Sequence, residues 1–184
     1  LYNNIRSVLG HTVADFLSQE KDGTRTILGE TISHTGWVIM LFQVVVAWIF
    51  ERYKPIPSFI FGLFVLGVGF AFLGLAGIAN PAWVFPGIFL FAVGEMISSP
   101  RIQEYITWLA PKEKAGLYMG SNFLAIGIGG FLSGVVYTSR FYSYFERSGH
   151  TEYIWFVLGI HVLLGIAVML LFTYFAGQFR EQEN

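Results

Sequence analysis

One carboxylate, Glu95, stands inside the apolar run Trp83 to Ser98. An ionised carboxylate in hydrocarbon costs roughly 2.5–3.5 kcal/mol on insertion scales, so such a group usually faces a bundle interior or a watery path. The chemistry open to it there is cation binding or proton exchange. The plainer alternative is a Glu neutralised by a neighbouring helix or by its own proton. Gln43, Asn122 and His161 also fall within apolar segments. Counted from Ala82, Glu95 lies 13 residues in, about 20 Å at the helical rise, and Gln43 and His161 lie roughly 12 Å into theirs. Polar groups at middle depth on different helices can converge on one cavity. His161 is then a proton-relay candidate, against the plainer reading of an interhelical hydrogen bond, which applies to Gln43 as well. His34 belongs at an outer, solvated mouth.

The elements that must hold these residues are membrane helices. Charged residues are 12% of the 184-residue chain, about half the share in soluble domains, and the mean hydropathy is +0.59. The net charge of −1 supports no nucleic-acid partner, and the absence of cysteine excludes disulfides and thiol ligands. Each crossing needs about 20 apolar residues. Five segments meet that need: 36–53, 57–78, 81–110, 117–138 and 153–175. Their apolar runs are continuous, so helices are expected rather than the alternating strands of a membrane barrel. The predicted fold is an all-α, polytopic transmembrane bundle of about five spans.

The third segment continues past Pro100 into water. Ile102, Tyr105, Ile106 and Leu109 recur there at helical spacing, and Ala110-Pro111 ends the helix. Residues 1–34 read as the end of a preceding span plus an extracytoplasmic loop, with Asp22-Gly23 as a turn signal, and residues 35–184 as the five-span unit. Arg52, Lys54, Arg101, Lys112, Lys114 and Arg180 fall on one side, which the positive-inside rule makes cytoplasmic together with the C-terminus. Trp37, Trp48, Trp83 and Trp155 fall near span ends, as an aromatic belt requires. Glycines crowd the second and fourth segments, including the Gly130–Gly134 pair, and suit close helix approach. No HExxH, GxSxG or Walker-type loop occurs, and no His or Cys cluster has metal spacing, so neither enzyme, cofactor nor metal is expected.

The run Gly94 to Gly134 resembles the tenth and eleventh spans of a major facilitator superfamily transporter, and most of all its proton-dependent oligopeptide transporter branch. The matching features are Glu95, Ser99-Pro100, Ala110-Pro111 and Met119-Gly120. The resemblance implies a fragment of a 12-span fold covering about spans 8–12, with the N-terminal half of the same transporter missing. It implies that Glu95 contacts a peptide's ammonium group or exchanges a proton in alternation with substrate. Gln43 and Asn122, polar residues within their own apolar segments, are further substrate-contact candidates, and His161 is a second proton-coupling candidate. Two features depart from the branch. Asn122 stands where a Trp often does, and Thr35-Gly36 stands in place of an Asn-Pro opening of the eighth span.

The function implied is proton-coupled symport of small solutes such as di- and tripeptides across the inner or plasma membrane by alternating access. The partners are substrate, protons and the lipid bilayer. The same superfamily with another cargo (sugar, drug or other metabolite) is the alternative, and a non-transporting membrane subunit is a third reading.

Overall fold

A backbone in hydrocarbon must satisfy its amides within its own segment, and long apolar runs therefore become helices. The computed structural model describes residues 19–21, 24–26 and 28–175. Two short strands come first, β1 (Gln19–Lys21) and β2 (Thr24–Thr26), paired antiparallel with Gln19 opposite Thr26 and Lys21 opposite Thr24. The other elements are helical: α1 (Leu28–Phe50), α2 (Pro55–Ile78), α3 (Val84–Leu109), α4 (Ala115–Leu132), α5 (Ser143–Ser148) and α6 (Tyr153–Phe175). A π-helical stretch, Ser133–Tyr142, joins α4 to α5 without a break.

Local chemistry explains the boundaries. Pro55 opens α2 at a position whose amide has no helical partner, where proline costs nothing. Ala110 turns extended before Pro111 and closes α3, which continues past Pro100. The π-helical stretch has side-chain support, because Ser139 Oγ donates to the Gly134 carbonyl at 3.0 Å and Ser143 Oγ to that of Thr138 at 3.5 Å. Gly149, at φ +75°, ends α5 in the left-handed region. Two boundaries differ from the sequence reading. Helix α1 begins at Leu28, ahead of residue 36, and the fourth helical stretch continues to Ser148 rather than 138. Residues 1–18 of the expected N-terminal segment lie outside the described residues.

Helices α2 and α3 form the core. Gly62 and Gly94 face each other there, and a Cβ on Gly94 would stand 2.5 Å from the Leu66 backbone nitrogen. Only glycine permits so close an approach. Around the crossing Ala92, Met96 and Ile97 are buried, and the Phe70 and Phe91 rings lie 5.4 Å apart. Helix α6 packs on the other side of α2, setting Phe156 against Gly74 and Trp155 at 6.1 Å from Phe70. The glycines of α4 have open space around them among the described residues.

Three helical stretches are long and apolar enough to cross a membrane: Pro55–Ile78, Lys112–Ser148 and Tyr153–Phe175. Helix α1 adds the shorter apolar run Ile39–Phe50. Many large apolar side chains on these helices face outward, Leu124, Phe131, Leu164 and Val168 among them. In water they would form an aggregating surface, but lipid tails are as apolar as they are. The chain is a multi-pass membrane protein built as an α-helical bundle.

Candidate functional site

Glu95 follows Gly94 on α3. One residue turns a helix by about 100°, so Glu95 projects away from the tight α2 contact. Its side chain is half-buried and has no hydrogen-bond or ionic partner among the described residues. Ser99, one turn further along the same face, is exposed. It is a carboxylate on a helix built into the core, unpartnered among the described residues.

A cavity of about 580 Å³ opens between α1 and α3. Its polar lining is Gln43, Glu51, Arg101 and Glu104. Gln43 Nε2 donates to the Met96 carbonyl at 3.3 Å, which ties α1 to α3 one residue beyond Glu95. Arg101 is 5% exposed. It donates to Glu104 Oε2 at 2.5 Å and to the Tyr53 carbonyl, while its Nε has no partner among the described residues. A buried guanidinium held this way fixes the end of α3 against the α1–α2 turn and brings a positive charge to the cavity wall.

Of the four residues singled out from the sequence, Gln43 alone lines this cavity. Glu95 precedes the lining residue Ile97 by two positions, so the two project to opposite sides of α3. His161 is exposed on α6, with Tyr137 edge-on at 5.6 Å. Asn122 is half-buried on α4, and its Nδ2 lacks a partner among the described residues. Glu95 and Gln43 are thus joined through adjacent backbone on α3, while Asn122 and His161 stand on other helices. No group of His, Cys, Asp and Glu able to hold a metal occurs among the described residues. Arg101, Glu51 and Glu104 were not anticipated as cavity residues. The Arg–Glu spacing of three, next to Pro100 at the end of an apolar run, was the available signal.

At the opposite end of the bundle, His150 Nδ1 and Glu152 Oε1 meet at 3.1 Å. The Glu152 carboxyl is held below its ordinary range, first by its own backbone N–H and then by the His150 ring.

The sequence of residues 16–134 matches the family model of the Major Facilitator Superfamily. The chain belongs to the major facilitator superfamily. Membership makes it a component of membrane transport rather than an enzyme. Two solved structures are similar in fold, each at a TM-score of 0.60. One is a POT family transporter in complex with a thioalcohol-conjugated peptide, 22% identical. The other is a POT family transporter in complex with 5-aminolevulinic acid, 21% identical. Each comparison covers 85% of this superfamily chain and 34% of the solved one, so the chain spans about a third of the length of the transporters it matches. No curated protein matches it.

Proposed function

We propose that this superfamily chain supplies about spans 8–12 of a proton-coupled secondary transporter that carries small amine-bearing solutes, with di- and tripeptides as the first candidates. The observation that carries the proposal is Glu95, a half-buried carboxylate on a core helix with no partner among the described residues. A carboxylate in a low dielectric is costly when alone and strongly favoured beside a cation or with a proton. Substrate ammonium and proton are therefore alternative occupants of it, so its readiness to bind substrate depends on pH. Gln43 supports the arrangement by fixing α1 to the Met96 carbonyl. Asn122, with an unpartnered amide, and His161 are the secondary candidates for substrate and proton.

In this reading α1 and α3 also cross the bilayer, the C-terminus is cytoplasmic, and a second helical half completes the cavity. Alternating access then proceeds by rocking of the two halves around the midplane site. The peptide assignment draws support from the solved relatives, one holding a conjugated peptide and the other 5-aminolevulinic acid, itself an amino acid. Asn122 and Thr35-Gly36, which depart from the oligopeptide branch, favour a second reading in which the cargo is another metabolite.

The test is proton-driven uptake into liposomes by the full-length protein, with labelled dipeptides competed against a mixed metabolite panel. Uptake of dipeptides that only peptides compete away supports the oligopeptide reading. Transport of another solute alone retains the superfamily mechanism and discards the peptide cargo.

A further inference from the structure

Helix α3 carries Pro100 in its interior. A proline has no amide hydrogen to give the carbonyl four residues back, and its ring presses on that same carbonyl. In α3 the carbonyl left short belongs to Met96. Met96 is 2% exposed, so solvent is a poor substitute for the missing amide. The donor comes instead from another helix. Gln43 of α1, 53 positions away in the chain, donates from Nε2 to the Met96 carbonyl at 3.3 Å. A carbonyl accepts only from the nitrogen end of a glutamine side chain, so this contact fixes which way the Gln43 amide faces.

The surroundings show what the contact holds. Beyond the proline, Arg101 donates to the Tyr53 carbonyl and to Glu104. Before it, Gly94 closes against the α2 backbone one residue ahead of Glu95. Helix α3 is thus gripped on both sides of a turn that lacks one helical hydrogen bond. Gln43, Pro100 and Arg101 share the wall of the 580 Å³ cavity, which leaves room beside that turn. A helix bends most readily where a proline interrupts its ladder. We infer that Gln43 is a positioning residue: it stands in for the amide that Pro100 lacks, closes the weak turn at 96–100, and so sets the angle between the Glu95 segment of α3 and the Arg101 clasp. Its Nε2 serves the protein backbone and not the cargo.

A double-mutant cycle on the full-length protein in detergent tests this. Gln43→Leu leaves the Met96 carbonyl without its donor and should lower the melting temperature by several degrees. Pro100→Ala returns the helical amide, so Gln43→Leu made in that background should cost less than half as much. If Gln43→Leu alone does not fold, the double variant should regain folding. Equal losses in the two backgrounds, or a double variant that also fails to fold, would overturn the assignment. The cycle needs no transport, so it stands or falls apart from the proposed function. Where uptake is measured, Gln43→Leu should keep KM within about twofold of wild type, and a KM raised about tenfold in both backgrounds would make Gln43 a substrate contact and overturn the assignment as well.

Discussion

Arg101 of α3 donates to the backbone carbonyl of Tyr53, just past the end of α1, and so joins residues 48 positions apart in the chain. The same guanidinium holds Glu104, whose side chain is half exposed, while its own is nearly fully buried. Three helices are thereby pinned at one end of the bundle by one side chain.

Arg101→Ala removes charge-assisted hydrogen bonds that are each worth about 1.5–3 kcal/mol. The variant should melt several degrees below wild type in detergent, and Arg101→Lys should recover only part of the loss, because an ammonium cannot reproduce the guanidinium fork. Thermal unfolding of the two variants checks this. Equal melting temperatures for all three proteins would show that the clasp adds no stability.

The α2–α3 crossing gives a sharper contrast. A Cβ at Gly94 would meet the Leu66 backbone, whereas one at Gly165 on α6 would meet nothing within 4 Å among the described residues. Gly94→Ala should destabilise by about 1–3 kcal/mol, the usual cost of overpacking. Gly165→Ala should be neutral or stabilising, since alanine is the better helix former. Melting of both variants, read side by side, tests whether glycine type or glycine location matters here.

These two positions also show how far the sequence could be read. Continuous apolar runs without alternation identified a helical membrane bundle, and the residues from Glu95 to Met119-Gly120 identified the superfamily. Glycine composition marked α2 and α4 alike, yet only the α2 glycines meet neighbouring helices among the described residues, because composition carries no information about which face finds a partner. Depth along a helix placed Glu95 and Gln43 within the membrane interior but could not assign azimuth. Glu95 and the Gln43 cavity therefore lie on different sides of α3, a relation fixed by the α2 contact at Gly94. The burial of Arg101 is not legible in the sequence, because a charged residue beside a membrane end is ordinarily solvated and only tertiary packing shows it buried.

The turn before α6 predicts a pH response. Glu152 has its carboxyl pKa lowered in the fold, so its contribution to stability is fully present above the ordinary carboxylate pKa of about 4.3 and is lost as pH falls through the lower folded value. Hydrogen exchange at the amides of 150–155 should therefore stay slow down to the ordinary carboxylate range and quicken only below it. His150→Ala should move the onset toward higher pH, since the ring is one cause of the lowering. An onset unchanged by that substitution would assign the effect to the Glu152 backbone amide alone.

His161 and Glu95 separate as proton carriers. His161 is exposed, and its ring contact is the edge of Tyr137. His161→Phe preserves that aromatic contact and should leave the pH dependence of transport unchanged. A shifted pH profile in this variant would move proton coupling onto α6.

The central claim rests on Glu95 and is tested most directly by proton-driven uptake in liposomes, with full-length wild type beside Glu95→Gln. Loss of a hydrogen bond to a charged group, about 1.5–3 kcal/mol, corresponds to roughly a 10- to 100-fold weaker affinity for an amine-bearing substrate. The account predicts that loss together with a flattened pH dependence. Unchanged affinity and an unchanged pH profile in Glu95→Gln would contradict it.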